Sequence, residues 1–412
     1  MTLLNHERAL SLMQEHSIDA IIGTTNENVT YLSGHQGWVQ RAYHSRQNFA
    51  LLTVDPEVNA DLVLNGGDLT YFAARGGNVG RAVGYGGKAG LLGPHDGFHP
   101  SDEERAYLDL YETSGKYRNA VAALSDLIRE RGLEKGRIAF DEEGCDPSVL
   151  RVLRDDFAAV EFVPATSLML MIRLVKTPDE IELLRRAAEI NRDAFEAMFA
   201  AMRPGVSEAE LAEVWRAEVA RPGARWHWLH LGTGARSAWV FPPTERKLQA
   251  GDLFLCDAGI TYHGYNADTG TSGSIGAPAP EASREFKAIQ TGTQAALDIC
   301  REGVTGGNIF RTLVETVRAE GIPDYNVNFA GHTIGLEPRE FPFMLAPESK
   351  YDDPFLPPSS ELPLPVNSVI NVESPIGRLG WGGYHIEYTI VITADGYEEI
   401  VEQEHGFRQI EA

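Results

Sequence analysis

Gly251-Asp252-Leu253-Phe254-Leu255-Cys256-Asp257-Ala258-Gly259-Ile260-Thr261-Tyr262-His263-Gly264-Tyr265-Asn266-Ala267-Asp268 is the stretch on which the fold turns. A turn signal at Gly251-Asp252 opens a strand-like run, in which Leu253 and Leu255 alternate with Phe254 and Cys256, and the run delivers Asp257. A Gly-containing turn through His263-Gly264 then returns the chain to Asp268. Two carboxylates eleven residues apart on neighbouring antiparallel strands can face each other across the pair. Like charges that close are costly, so such a pair wants a shared proton or a cation. Taken alone, the stretch reads equally well as a solvated hairpin with two unrelated aspartates.

At 412 residues the chain exceeds what one core usually serves, so two domains are expected. Apolar content of 43% and charged content of 23% describe an ordinary globular protein. The net charge of −23 leaves no basic stripe to neutralise phosphates, which argues against a nucleic-acid or anionic-membrane partner. Cys145, Cys256 and Cys300 show no CxxC spacing, so a reduced, cytoplasmic setting is expected. The N-terminus lacks the basic and apolar regions of a signal peptide, and no apolar run is long enough to span a membrane.

Before the hairpin, helical spacing over 7–17, 117–131 and 147–157 alternates with strand-like runs at 19–23, 49–54, 60–64 and 136–141. This makes the first ~160 residues an α/β unit. The Gly-rich segment 76–93 holds no phosphate-binding motif. The boundary is placed so that the domains are 1–165 and 166–412. Past it, Thr177, Pro178 and Glu180 form a capping box with Pro at the first helical position, opening a helix to about Met202. Ser207 with Glu210 caps a second helix, and 285–301 and 308–320 form a similar pair after the hairpin. The second domain therefore reads helix-helix, strands, helix-helix, strands, an α+β pattern.

Three further stretches carry chemistry. Phe329–Glu340 holds a Gly-flanked His332; Val369–Pro375 ends a buried-looking strand in Glu373; Tyr384–Thr393 carries Glu387 among β-branched residues. A lone His is more often a satisfied polar residue than a ligand, and a lone strand Glu usually faces solvent. Glu373 and Glu387 both sit inside apolar runs, however, where an unpaired carboxylate is expensive. Four carboxylates and one imidazole suit Mn²⁺, Fe²⁺, Co²⁺ or Zn²⁺. Two such ions sharing carboxylates and one bridging water are the arrangement that set implies.

These residues resemble, in order and context, the pita-bread metallopeptidase family of methionine aminopeptidase, aminopeptidase P, prolidase and creatinase. Asn28–Gly34 resembles the creatinase/prolidase N-terminal domain, and Arg173–Ile181 the interdomain seam and first catalytic helix. The resemblance implies an α/β N-terminal domain followed by an α+β pita-bread catalytic domain. It implies a dinuclear site of Asp257, Asp268, His332, Glu373 and Glu387, with a bridging hydroxide attacking a carbonyl and Glu373 and His332 catalytic. The expected activity is Xaa-Pro dipeptidase- or aminopeptidase-like hydrolysis of a small peptide or amide by a homodimer, in which the partner's His35 or Trp38 reaches the pocket.

The chain departs from the family where peptidases carry two substrate-binding histidines, at Val240 and Arg339. His385 and Tyr388 replace the usual arginine and acid around Glu387, and Thr271 replaces an arginine. Gly232–Trp239 resembles the dimethylsulfoniopropionate lyase branch, although Gly259 stands where that lyase has an additional aspartate. The alternative is therefore a lyase, or a creatinase-like C–N hydrolase, acting on a small zwitterion. Arg339, His385, Trp239 and Tyr265 are the expected substrate-binding residues, and Trp226, Trp228, Trp239, Tyr265 and Trp381 are candidates for a cage around a cationic substrate. The proline-rich insertion 347–365 is expected to border the pocket.

Overall fold

In the computed structural model, which describes residues 2–43, 47–86, 95–346, 353 and 355–412, the chain separates into residues 1–173 and 174–412. Residues 87–93 of the Gly-rich segment, and 347–352 and 354 of the proline-rich insertion, lie outside the described residues.

The first unit holds strands β1 (Ala20–Gly23), β2 (Phe49–Thr53), β3 (Asp61–Asn65), β4 (Ala82–Tyr85), β5 (Gly136–Phe140) and β6 (Val160–Pro164). They form a mixed sheet of order β4-β3-β2-β1-β5-β6. β1, β2 and β3 are buried along their whole length, as strands covered on both faces must be. The helices are α1 (His6–Glu15), α2 (Asn26–Ser33), α3 (Val39–Ala42), α4 (Leu69–Arg75), α5 (Asp102–Ser114), α6 (Ala120–Glu130), α7 (Pro147–Asp156) and α8 (Thr166–Arg173). Thr25 caps α2 by accepting from the Asn28 amide, and Gly34 closes it at φ 70°. α8, placed in the second domain by sequence, groups with the first unit. Its Arg173 donates to Asn28 Oδ1 (2.8 Å), its Met171 carbonyl accepts from Arg8 (2.9 Å), and Thr166 donates to Asp141 (3.2 Å).

The second unit opens on α9 (Pro178–Ala201) and α10 (Glu208–Ala220), each with the expected reciprocal capping box. β7 (Arg225–Thr233), β8 (Leu253–Tyr262) and β9 (Tyr265–Ile275) follow, then α11 (Pro280–Asp298) and α12 (Gly306–Ala319). α11 starts five residues before the expected 285 because Pro280 fills its first position. β10 (Gly331–Thr333), β11 (Glu340–Phe343), β12 (Val369–Arg378), β13 (Gly382–Ile392), β14 (Tyr397–Glu399) and β15 (Arg408–Ile410) complete the unit. Two sheets result, β15-β9-β8-β7 and β11-β10-β12-β13-β14. The hairpin turn is the two-residue loop His263-Gly264, with φ of 47° and 86°, the positive values that a type I′ turn requires.

Each sheet rests on a helix pair. Asn191 of α9 donates to the Ala258 carbonyl (2.9 Å) and accepts from the Trp215 indole of α10 (3.2 Å), so both helices lie behind β8. α11 and α12 bury Phe286, Ile289, Leu297, Leu313 and Val317 together with Val372, Ile386 and Ile390. β9 and β13 meet through Ser272, whose hydroxyl accepts from the His385 amide and donates to its carbonyl (3.1 Å).

Candidate metal centre

Strand periodicity decides which side chains share a face, because successive residues point to opposite sides. In β12 and β13, Glu373 lies directly across from Glu387, and Pro375 from His385. His332 of β10 lies across from Asn371, two residues before Glu373, so it joins the same face. In the hairpin the aspartates are not directly opposed. Asp257 lies across from Gly270 and Asp268 across from Gly259, so the two are diagonal neighbours on one face. The intervening residues Val372, Ser374 and Ile386 turn the other way; Val372 and Ile386 enter the helix-side core, and Ser374 meets Thr293 of α11 at 2.6 Å.

Asp268, His332 and Glu387 bring one ligand atom each within 4.8 Å of one another. His332 Nε2 lies 3.6 Å from Asp268 Oδ2 and 3.8 Å from Glu373 Oε1. Asp257 accepts the Trp228 indole N–H (2.8 Å), and Glu373 Oε2 meets His385 Nε2 (3.1 Å). Glu387 Oε1 accepts from Asn371, whose own oxygen accepts from Thr389 (3.1 Å). His332 Nδ1 is held by the Thr333 carbonyl (3.0 Å), which leaves Nε2 as the nitrogen available to a ligand.

Asp257, Asp268, His332, Glu373 and Glu387 are each buried at 9% exposure or less. Among the described residues, His332 Nε2, Glu373 Oε1 and Glu387 Oε2 have no hydrogen-bond partner. Burial, reinforced by the neighbouring carboxylates, pushes Asp268 and Glu387 well above the carboxylate range. Burial pushes Glu373 the same way, but the hydrogen bond and charge of His385, with His332 and Arg339, hold it low. Burial also lowers His332, keeping the imidazole neutral and able to ligate. Buried carboxylates and a neutral imidazole with partnerless atoms converging on one space fit a divalent cation, whose charge offsets the repulsion among them.

The expected substrate residues separate. Tyr265 does not share the face of the aspartates as expected: three positions from Asp268, it falls on the opposite strand face, is fully buried and donates to Glu180 (3.0 Å). His385 is buried behind Glu373 rather than lining open space, with burial opposed by Glu373, Glu387 and Asp257 to set it up to about 9. Arg339 is exposed, lies 5.1 Å over the Phe329 ring, and its charge reaches Asp268, His332 and Glu373. Trp239 stands 59% exposed beyond a short 3₁₀ turn. The proposed cage is not assembled: Trp381 packs edge-on against core Tyr384, Trp226 lies under Arg216, and Tyr265 is core. Tyr388, in place of the family's acid, stacks on His405.

Sequence reasoning missed Trp228 as a partner of Asp257, and His230 altogether. His230 lies directly across from Asp257 and shares its face, with its Nδ1 buried and unpartnered. Neither signal was available before the register of β7 on β8 was known, since a bulge between Trp226 and Trp228 shifts that register. Gly259 bears on the lyase alternative: a Cβ there would overlap the Trp228 ring, so no aspartate fits beside it.

The model of metallopeptidase family M24 matches residues 182–394, and that of the creatinase/prolidase N-terminal domain matches 6–175. The chain is 24% identical over 346 residues to the uncharacterized peptidase YqhT of Bacillus subtilis, covering 83% of this chain and 93% of that one. It is 27% identical over 247 residues to the Xaa-Pro dipeptidase of Pyrococcus furiosus, covering 59% and 68%. Among solved structures, the X-Pro aminopeptidase of Thermotoga maritima superposes with a TM-score of 0.73 at 24% identity, covering 98% of this chain and 99% of that one. The Xaa-Pro dipeptidase of Bacillus anthracis superposes at 0.76 and 23% identity, covering 98% of each. The two-domain architecture, with a pita-bread second domain, is thus the one the sequence implied, and none of these similarities favours a lyase.

Proposed function

The chain belongs to metallopeptidase family M24, and we propose that it is an Xaa-Pro dipeptidase-like hydrolase of short peptides that uses two divalent transition-metal ions. The ligands are Asp257, Asp268, His332, Glu373 and Glu387. The observation that carries this is the set of partnerless buried atoms, His332 Nε2, Glu373 Oε1 and Glu387 Oε2, in one sheet, with Asp268 of the other sheet brought within ligand distance of His332 and Glu387. When bound, such ions polarise a carbonyl and lower the pKa of water.

The remaining work belongs to the chain. Glu373, besides being a ligand, is the residue assigned to take the proton of the attacking water, with His385 holding its Oε2 in place. His332, kept neutral by burial, ligates through Nε2. Arg339, exposed and stacked on Phe329, pairs with a substrate carboxylate, which favours short peptides with a free C-terminus. It stands where family peptidases carry a histidine, so the preference for proline is expected to be looser than theirs. A homodimer is part of this proposal, and a gel-filtration mass of one 45.2 kDa chain would refute that part.

The test is a panel of Xaa-Pro and non-proline dipeptides assayed after loading with Mn²⁺, Co²⁺ or Zn²⁺. Metal-dependent cleavage that is lost in Asp268→Ala is expected. Full activity at well under two ions per chain, or no cleavage of any dipeptide by the loaded protein, would overturn the reading.

A further inference from the structure

Two glycines of the hairpin lie opposite its two aspartates, and each has a ring seated where its side chain would be. Gly259, across from Asp268, lies under the Trp228 indole; Gly270, across from Asp257, lies under the His385 imidazole. A Cβ on either would overlap the ring above it. Neither glycine has the positive φ that would by itself demand glycine. The requirement is therefore for space.

Each seated ring donates to a carboxylate of the site. Trp228 Nε1–H gives its hydrogen bond to Asp257 Oδ1 at 2.8 Å, and His385 Nε2 meets Glu373 Oε2 at 3.1 Å. An indole N–H can only donate, so it holds Asp257 as an acceptor and fixes which oxygen faces away from the ring. At Glu373 the outcome is visible directly: Oε2 is taken and Oε1 is buried without a partner. The rings come from different sheets, β7 and β13, and both cover the face of the hairpin that carries the aspartates.

We propose that Gly259 and Gly270 are ring seats, and that Trp228 and His385 are the positioning residues that orient Asp257 and Glu373 toward the metal ions. This rests on the metal-binding reading above and adds to it the residues that aim the ligands. The hydrogen-bonded partners of metal ligands typically account for ~10–100-fold in metal affinity. Trp228→Phe keeps a ring over Gly259 and removes only the donor. Gly259→Ala keeps the donor residue and displaces the ring.

The experiment is calorimetric titration of Mn²⁺ into the metal-stripped full chain, with thermal unfolding to establish that each variant is folded. Trp228→Phe and Gly259→Ala should each weaken Mn²⁺ binding by ~10-fold or more. In a Trp228→Ala background, Gly259→Ala should cost nothing further, because the methyl acts only through the ring. His385→Gln, which retains a donor, should bind Mn²⁺ more tightly than His385→Leu. Unchanged Mn²⁺ affinity in Trp228→Phe, or additive losses in the Trp228→Ala/Gly259→Ala pair, would overturn the proposal while leaving the metal site standing. Failure of the unaltered protein to bind Mn²⁺ would instead sink the metal reading, and this one with it.

Discussion

Replacing Lys176 by Met tests whether the second unit depends on a buried charge cluster beside the strands β10 and β11 that carry His332 and Glu340. Lys176 Nζ lies 2.8 Å from Glu340 Oε2, with the side chains 1% and 2% exposed. Glu180 is buried nearby and accepts from Tyr265; burial raises it to about 7, with Lys176 pulling it down and Glu340 pushing it up. One ammonium thus faces two carboxyls, and near neutrality Glu180 keeps part of its proton. Removing one partner of a buried pair typically costs ~3–5 kcal/mol, because the other charge is stranded. At about 2–4 °C per kcal/mol for a unit of this size, the unfolding midpoint of the second unit should fall by about 6–20 °C. The deficit should deepen with pH. Below pH 6 the stranded carboxyls can take up protons, whereas by pH 8.5 they are charged or must be held neutral at a cost. Lys176→Met/Glu340→Gln should recover part of the loss, since a glutamine oxygen can still accept the Glu337 amide that Glu340 Oε1 now holds (3.2 Å). Urea unfolding at pH 6 and 8.5 measures all three quantities. A loss below about 1 kcal/mol, or one that shrinks as pH rises, would refute the argument.

Three further outcomes follow from the same geometry. Glu180 has a folded-state pKa raised from 4.5 to about 7, so its contribution is full below the lower value and lost as pH rises through the upper one. Relative to Glu180→Gln, the unaltered protein should therefore lose about 1 kcal/mol between pH 6 and 8.5 in urea unfolding, and a pH-independent difference would refute the shift. Asn191→Ala strands the Trp215 indole N–H and the Ala258 carbonyl behind β8 and should destabilise by about 1–3 kcal/mol in the same assay. Chelation of bound metal should lower the melting temperature and Mn²⁺ should restore it, by about 4 kcal/mol at a thousandfold excess over Kd; calorimetry showing no response to either would count against a metal-stabilised site.

The helix pairs and the hairpin were legible because they are written in local chemistry. Thr177-Pro178 and Ser207 cap α9 and α10 as their spacing predicts, and His263-Gly264 makes the turn that brings Asp268 back beside Asp257. α2 was not legible in the same way. Its cap residues Thr25 and Gly34 are present, but six of its eight residues are buried, leaving no amphipathic stripe to read. The five clustered polar residues were found through a family resemblance, yet strand parity explains why they meet: Glu373 and Glu387 directly paired, and His332 two residues from register with Glu373.

Parity also explains the errors in the substrate residues. Counting in twos from Asp268 puts Asn266 and Gly270 on the site face and Tyr265 off it, so Tyr265 could have been excluded from sequence alone. Counting from Glu387 puts His385 on that face, and only its depth behind Glu373 was hidden. Trp228 and His230 differ in kind. Trp228 bonds Asp257, and His230 lies across from it, on an edge strand whose register depends on a bulge and whose Trp228 ring fills the space over Gly259. No periodicity within β7 encodes either feature. A glycine read as turn or filler in one strand thus specifies a tryptophan in another, and the pair can be recognised only once the two strands are joined.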